Sequence, residues 1–177
     1  MRVPVSWLRD YVPSNGSLED LATRLSVASA EIEGIEYRGV SDEGGNLGLF
    51  RVGRVLEAVK HPNADRLQLT KVDVGEREPR SIVCGAWNFG VGATVAVALP
   101  GAVLPNGLRL ERREVRGEIS DGMILAEDEV GLGADHTGVM VLPETEPGTP
   151  LADVLPLADA VLLVEATGNR PDLQSVY

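Results

Sequence analysis

The feature that most constrains the fold is a long series of short, alternating segments in the middle of the chain. From Leu49 onward, apolar and polar residues alternate over short stretches that glycine- or proline-containing turns separate. Residues 94–99 show the pattern clearly, with Val95, Val97 and Leu99 on one face before the turn at Pro100. Many short strands with frequent turns are typical of a small all-β barrel.

One of these stretches predicts an irregular strand. In RLQLTKVDVG the inward candidates are Leu67 and Leu69, followed by Val72 and Val74, so the alternation slips by one residue between the two pairs. A β-bulge would absorb the slip, and bulges bend strands in the way that closing a five-stranded barrel requires.

The two ends of the chain have a mixed α/β pattern. Trp7 and Tyr11 stand four residues apart, and Ser17 with Asp20 three residues later predicts the start of a second helix. Strands are predicted at residues 32–37 and 161–165, and neither end reaches the ~40 residues that a chain usually needs to fold alone.

The ends are therefore expected to pack together through these two strands. The predicted fold is α+β, mostly β: a five-stranded barrel over residues 40–150, inserted into a small discontinuous α/β domain of residues 1–39 and 151–177. The polar, glycine-rich residues 41–48 mark the first boundary.

Two motifs carry a resemblance to a known family. They are VGRVLEAVKHPNADRLQLTKVDVGE at residues 52–76 and RGEISDGMILAEDEVGL at residues 116–132. MRVPVSWLRDYV, SLEDLATRLSVASAEIEGIE, IVCGAWN, ALPGAVLPNGLRL and NRPD (residues 169–172) occur in matching order around them. Together they resemble the amino-terminal region of bacterial phenylalanine–tRNA ligase beta subunits, which contains a cytokine-like tRNA-binding OB-fold domain. Gly168 departs from the family, which usually has proline there.

The resemblance implies a tRNA-binding surface at named positions. KHPNADRL and RGEISDGM are specific to the barrel module, which also occurs in free-standing tRNA-binding proteins and in some methionine–tRNA ligases, whereas the flanks select the beta subunit. The implied contacts are Lys60, Asn63, Arg66, Lys71, Arg116, Ser120 and Met123. Cations would meet phosphates, while the amide and the hydroxyl can both donate and accept towards 2′-hydroxyl groups.

Several of these residues also have a purely structural interpretation. Asn63 and Asp65 follow a proline, and such side chains commonly close turns on their own backbone. Ser120 and Gly122 could form a tight turn, and Met123 could belong to the core.

Net charge requires a local basic surface if RNA is to bind. The chain has 16 basic and 27 acidic residues, a net charge of −11, and residues 40–150 hold 11 basic against 17 acidic residues, a net charge of −6. Because affinity for nucleic acid depends on neutralised phosphates, strong autonomous binding is disfavoured. The basic segment RLERREVR, predicted as a strand, supplies the best candidates: Arg109, Arg112, Arg113 and Arg116. The alternative is a solvated strand face that prevents edge aggregation.

Few aromatic residues are available for stacking on bases. Residues 40–150 contain Phe50, Trp87 and Phe89, so contacts with the shape and backbone of a folded RNA are favoured. Trp87 is unusual for the family at this position, and we expect it to cap the barrel end or to touch a neighbouring subunit.

No catalytic or metal-binding residues are predicted. The sequence lacks P-loop, GxGxxG, HExxH and GxSxG motifs. Cys84 has no cysteine neighbours, and His61 and His136 lie far apart without further ligands at suitable spacing. No apolar run approaches the ~18 residues of a membrane helix and no signal peptide is present, so a cytoplasmic protein without membrane contact is expected.

The leading hypothesis is a non-catalytic accessory region that docks tRNA(Phe) for a phenylalanine–tRNA ligase. The resemblance implies an alpha subunit, further beta-subunit domains and an (αβ)₂ heterotetramer as partners, with ATP and magnesium used by the parent enzyme and no cofactor in this chain. It also implies that the chain is a fragment. The rival hypotheses are an architectural module for protein–protein packing and a free-standing tRNA-binding protein.

Overall fold

The computed structural model describes residues 1–13, 16–135 and 137–165. The chain divides into two compact units, of which the first consists of residues 1–38 with the described chain from residue 159, and the second of residues 39–158. His136, Gly168 and the NRPD motif lie outside the described residues.

The described residues form short strands and few helices. The strands are β1 (Arg2–Pro4), β2 (Glu31–Gly39), β3 (Phe50–Lys60), β4 (Gln68–Asp73), β5 (Arg80–Cys84), β6 (Thr94–Ala98), β7 (Arg113–Val115), β8 (Glu118–Ser120), β9 (Met123–Ile124), β10 (Val141–Leu142) and β11 (Ala158–Glu165). The α-helices are α1 (Val5–Tyr11) and α2 (Leu18–Ala28), and 3₁₀ helices span Glu43–Leu49, Asp128–Val130 and Leu151–Asp153.

The first unit is a three-stranded sheet with both α-helices. Its order is β1-β11-β2, so the expected meeting of residues 32–37 with residues 161–165 is observed. The hydroxyl of Ser17 accepts the backbone N–H of Asp20 at 3.1 Å and caps α2, as the sequence predicts. Apolar residues of α1 and β11, including Val5 and Leu162, form the buried core of this unit.

The second unit is built on an antiparallel sheet. Its strand order is β10-β6-β3-β4-β5, with β9 also paired to β6, while β7 and β8 form a separate hairpin. Val55 pairs with Val72 and Glu57 with Lys71, so Leu56 is an extra residue in β3. The bulge expected beside residues 70–71 is therefore found on the neighbouring strand β3.

Of the inward residues predicted for the stretch around β4, Val72 and Val74 are confirmed as buried, whereas Leu67 and Leu69 are only half-buried. The strand alternates without a slip, and its buried residues are Gln68, Thr70 and Val72, while Leu69 is less buried. The two polar side chains are accommodated because each has a partner: Gln68 donates to the carbonyl of Ala86 at 2.5 Å, and Thr70 donates to that of Ile82 at 2.8 Å.

Strand β6 is buried on both faces and separates two cores. Val95 and Val97 pack with Ile82 in one apolar cluster, as their alternation predicts. Ala96 and Ala98 face a second cluster with other apolar residues of the unit. The small side chains on the second face allow the neighbouring segments to approach β6 closely.

The fold is mostly β with several antiparallel sheets. Within the described residues, the hydrogen-bonded strand order runs from β10 to β5 without closing, so the expected five-stranded barrel is not confirmed. The predicted basic strand is largely wrong, because only Arg113–Val115 of this segment is a strand. Residues before it are held instead by backbone bonds that join Leu110 to Gly101 and Ala102.

The described helices are all unsuited to spanning a bilayer. None of them is both long enough and apolar enough to cross a membrane.

Candidate nucleic-acid interface

The turn of the KHPNADRL motif is organised by His61, which is only 2% exposed. The Nδ1 atom of His61 accepts the backbone N–H of Asn63 at 3.0 Å, and its Nε2 atom lies 3.3 Å from the carbonyl oxygen of Val115. Because Nδ1 is an acceptor, the ring proton resides on Nε2 and is donated to Val115. His61 thus joins the turn of residues 60–66 to the β7–β8 hairpin.

The tip of that hairpin has an unusual backbone. Arg116 and Gly117 occupy its two central positions with φ angles of 56° and 93°. Positive φ at both positions is the requirement of a tight type I′ hairpin, where asparagine and glycine are favoured and arginine is rare. The Nδ2 atom of Asn63 donates to the carbonyl of Arg116 at 3.4 Å and supports this conformation. Asn63 therefore serves the turn, and it keeps Arg116 at the tip.

Ser120 attaches the base of the hairpin to β5. Its hydroxyl accepts the N–H of Val83 at 3.1 Å and donates to the carbonyl of Gly122 at 3.1 Å, and its side chain is buried. The next residue, Asp121, donates its backbone N–H to Ser81 at 2.7 Å. Because the hydroxyl is occupied on both sides, this geometry favours the turn-forming role of Ser120 over a contact with RNA.

A groove of about 620 Å³ lies between the hairpin and the β5 end. Four of the predicted site residues line it: Arg109, Arg113, Ser120 and Met123. Glu111 and Glu129 also line it, so the groove itself carries no excess of positive charge. Met123 packs against a core cluster as well, which fits its alternative interpretation. The other predicted arginines, Arg66, Arg112 and Arg116, do not line the groove.

We call five predicted arginines the arginine rim: Arg109 and Arg113, which line the groove, with Arg112 between them in sequence, Arg116 at the hairpin tip and Arg66 in the KHPNADRL turn. Each is exposed. Among the described residues, no carboxylate forms an ion pair with any of their guanidinium groups. Unpaired, exposed guanidinium groups can meet phosphate oxygens without first breaking an internal contact.

The two predicted lysines are already engaged. Lys60 forms an ion pair with Asp65 at 2.6 Å, and the hydrogen bond from this lysine holds the pKa of the Asp65 carboxyl below its usual range. Lys71 donates to the hydroxyl of Ser81 at 2.5 Å on the outer face of β4 and β5. Lys71 lies on β4, outside the groove lining and outside both the KHPNADRL turn and the segment of residues 109–116 that carry the rim.

Sequence reasoning missed two residues of this region. His61 was considered only as a metal ligand, although its place before Pro62 and Asn63 in the turn is the signal that it has a local role. Trp87 is 55% exposed and its indole donates to the carbonyl of Arg66 at 3.4 Å, a bond that the sequence does not reveal. Its expected role as a cap of the barrel end or a contact with another subunit stays a prediction.

The described residues offer little for catalysis or metal binding. They contain no group of three or more histidine, cysteine, aspartate or glutamate side chains placed to hold a metal ion. Burial raises the pKa of the Cys84 thiol, which disfavours the reactive thiolate. Glu129, in the acidic run after β9, accepts the backbone N–H of Ala126 at 2.7 Å and so stabilises a turn.

Comparison with known proteins identifies similar sequences and structures. A family model described as "Putative tRNA binding domain" matches residues 50–150. Phenylalanine–tRNA ligase beta subunits of Salinibacter ruber and Anaeromyxobacter dehalogenans are 44% and 42% identical to the chain over 99% of its length, but over only 22% and 21% of their own. The chain thus spans about a fifth of these curated relatives.

Two solved structures are also similar. The C-terminal domain of Plasmodium vivax p43 has a TM-score of 0.41 and 27% identity, covering 55% of this chain and 53% of that chain. A MetRS related protein from Pyrococcus horikoshii has a TM-score of 0.41 and 24% identity, covering 56% of this chain and 84% of that chain.

Proposed function

Because this chain belongs to the putative tRNA binding domain family, we propose that it is a non-catalytic region that docks tRNA for a phenylalanine–tRNA ligase. The resemblance to beta subunits of that ligase is confirmed, since relatives of that name match nearly the whole chain. The match includes both flanks of the domain, which disfavours a free-standing tRNA-binding protein.

The observation that carries the proposal is the arginine rim. An acidic chain can bind a polyanion only if some of its cations are concentrated and available. Five unpaired arginines, two of which line the groove while three lie in the adjoining turn and hairpin segments, meet that condition despite the net charge of −11. Arg112 directly precedes the hairpin, Arg113 begins it, and Arg116 lies at its tip. Contacts from these groups to the sugar–phosphate backbone would read the shape of a folded RNA and not its sequence.

The second unit would act as an OB-type barrel of five strand segments. Pairing in the sheet links β6, β3, β4 and β5, and β9 pairs with β6. Between β5 and the residues just before β9, the backbone bond from Asp121 to Ser81 and the bond from the Val83 N–H to the Ser120 hydroxyl connect the two segments. These bonds support a ring that is completed by isolated contacts without a continuous ladder.

The remaining attributes of the parent enzyme are proposed for the assembly and not for this chain. Aminoacylation of tRNA(Phe), and the use of ATP and magnesium, would lie on the alpha subunit and on other domains of an (αβ)₂ ligase in the cytoplasm. No cluster of metal ligands among the described residues fits magnesium here, so no step is assigned to this chain.

An architectural role is the second candidate. It is favoured by exposed apolar side chains on β3, Leu56 and Val59, which lie 43% and 57% exposed on a strand of the second unit. In this case the barrel would pack against a protein surface of the ligase and make little contact with RNA.

Titration of the full chain with tRNA(Phe) at about 50 mM and about 200 mM salt separates the candidates. The docking proposal predicts binding that weakens steeply with salt, and a further loss for the double variant Arg112→Ala/Arg113→Ala. The matched control is Arg24→Ala/Arg77→Ala, which removes the same charge at exposed positions outside the rim.

Each outcome decides one point. Absence of binding at the lower salt concentration would overturn tRNA docking and leave the architectural role. Equal losses in the two double variants would mean that overall charge, and not the rim, determines affinity.

A further inference from the structure

Trp87 presents an exposed aromatic face beside the groove. More than half of its side chain is exposed, although tryptophan is among the residues that gain most from burial. Its indole N–H donates to the carbonyl of Arg66 in the KHPNADRL turn. The ring is thus oriented by a hydrogen bond at its polar edge while its apolar surface stays accessible.

The backbone around Trp87 is fixed on both sides. Before it, the carbonyl of Ala86 accepts a bond from the buried Gln68 at 2.5 Å. After it, the side chain of Asn88 bonds both the N–H and the carbonyl of Val139, at 3.0 and 2.9 Å. Ala86 and Val139 line the groove. A rigid support of this kind lowers the entropy that the ring would lose on binding a ligand.

The surroundings of the ring select the chemistry of its partner. Arg66, which receives the indole N–H on its carbonyl, belongs to the arginine rim, and Arg109 and Arg113 line the groove that Ala86, the residue before Trp87, also lines. A planar apolar surface next to unpaired cations is complementary to a nucleobase attached to a phosphate. A protein partner that covered Trp87 would not require several unpaired guanidinium groups nearby.

We propose that Trp87 stacks on one unpaired nucleobase of RNA that enters the groove. This inference rests on the proposed function and adds to it a requirement for a single-stranded or flipped-out nucleotide. Contacts of the rim with phosphates alone would accept fully paired RNA equally well. Stacking is tolerant of base identity, because every base offers a π-face, so a preference for unpaired over paired RNA is expected without a strong sequence preference.

Fluorescence of Trp87 in the full chain tests the proposal directly. The Trp7→Phe variant leaves Trp87 as the sole tryptophan. It is titrated with a single-stranded RNA of about 12 nucleotides, which lies within the site size of such domains, and with a blunt RNA duplex of equal phosphate number. We expect the single strand to quench the emission and the duplex to leave it unchanged.

Affinity variants complete the test. Trp87→Ala should weaken binding of the single strand about tenfold, while Trp87→Phe should retain most of it, because phenylalanine still offers a ring for stacking. Binding of the duplex should be equal for all three proteins. Far-ultraviolet circular dichroism and sedimentation of each variant check its fold and oligomeric state.

Failure of this inference is distinguishable from failure of tRNA docking. If Arg112→Ala/Arg113→Ala weakens binding but Trp87→Ala does not, and no quenching occurs, the rim binds RNA and stacking is overturned. A change in oligomeric state in Trp87→Ala, without a change in RNA affinity, would assign the ring to a protein contact and would also overturn it. If neither RNA binds, stacking is overturned, while tRNA docking is decided separately by the titration with tRNA(Phe).

Discussion

Two regions of the second unit hold arginines in opposite ways. Where the connection from β4 meets β5, Arg80 donates to Glu76 at 2.8 and 2.9 Å and to Asp121 at 3.0 Å. Its charge is therefore neutralised by carboxylates of the same chain. Around the hairpin, the arginine rim has no carboxylate partners among the described residues. Pairing with carboxylates, more than the count of charges, therefore determines where an acidic chain can attract a polyanion.

Removing part of the rim should have the largest effect. In the triple variant Arg109→Gln/Arg112→Gln/Arg113→Gln, tRNA affinity should fall about 100-fold, and the slope of log affinity against log salt should become shallower by about 2 to 3 units. The measurement is a salt series of binding titrations.

The matched control for that triple variant is Arg9→Gln/Arg24→Gln/Arg77→Gln, which changes the net charge equally. A slope reduced to the same extent in the control would remove the distinction between the two regions.

Loss of the histidine that supports the hairpin should have the next largest effect. His61→Phe preserves an aromatic ring but leaves the N–H of Asn63 and the carbonyl of Val115 without their partner. We expect the free energy of unfolding to fall by about 2 kcal/mol, with weaker tRNA binding because the hairpin is no longer held against the turn. Urea denaturation measures the first quantity. Unchanged stability would show that the two bonds contribute nothing net.

Removing the ion pairs of Arg80 should lower the stability of the fold and leave tRNA binding intact. In Arg80→Gln, Glu76 and Asp121 lose their partner, and we expect unfolding to become easier by about 1 kcal/mol because the group is only partly buried. Affinity for tRNA should change less than twofold. A loss of affinity as large as that of the rim variants would contradict the idea that paired arginines do not take part.

The smallest effect on tRNA affinity is expected for the ion pair of Lys60 and Asp65, which lies in the same turn as Arg66 of the rim. Asp65→Asn releases Lys60 and removes a negative charge, so tRNA affinity should rise about twofold.

The pH dependence of this effect has a definite sign. Because Lys60 lowers the pKa of Asp65, the pair is present above that lowered pKa and is lost as the pH falls through it. The affinity advantage of Asp65→Asn over the original chain should therefore shrink at acidic pH, as titrations across that range would show. An advantage independent of pH would contradict it.

Local signals in the sequence were sufficient where the partner is near in the chain. The cap of α2 was predicted correctly because Ser17 and Asp20 are three residues apart. In β4, hydropathy pointed to Leu69 as inward, yet Gln68 is buried because a carbonyl eighteen residues away, that of Ala86, accepts its amide. Alternation cannot reveal an acceptor that only the fold brings close.

The site shows the same limit. Motif residues predicted the proline-centred turn and offered a tight turn of Ser120 with Gly122, but they did not predict the β7–β8 hairpin, nor that the segment containing Arg109 and Arg112 would leave the strand. Which cations remain unpaired depends on where carboxylates lie after folding. The sequence therefore named all five members of the rim without distinguishing them from Lys60 and Lys71.

Arg116 illustrates a conflict between conformational preference and electrostatic purpose. Its φ of 56° lies in the left-handed region, which glycine and asparagine adopt at lower energetic cost than arginine. The hydrogen bond from Asn63 to the Arg116 carbonyl supports this backbone conformation. A glycine at this position would relieve the backbone strain of the turn and would remove the positive charge at the hairpin tip. The loop tip is thus a site where selection for durability and selection for attracting a polyanion favour different amino acids.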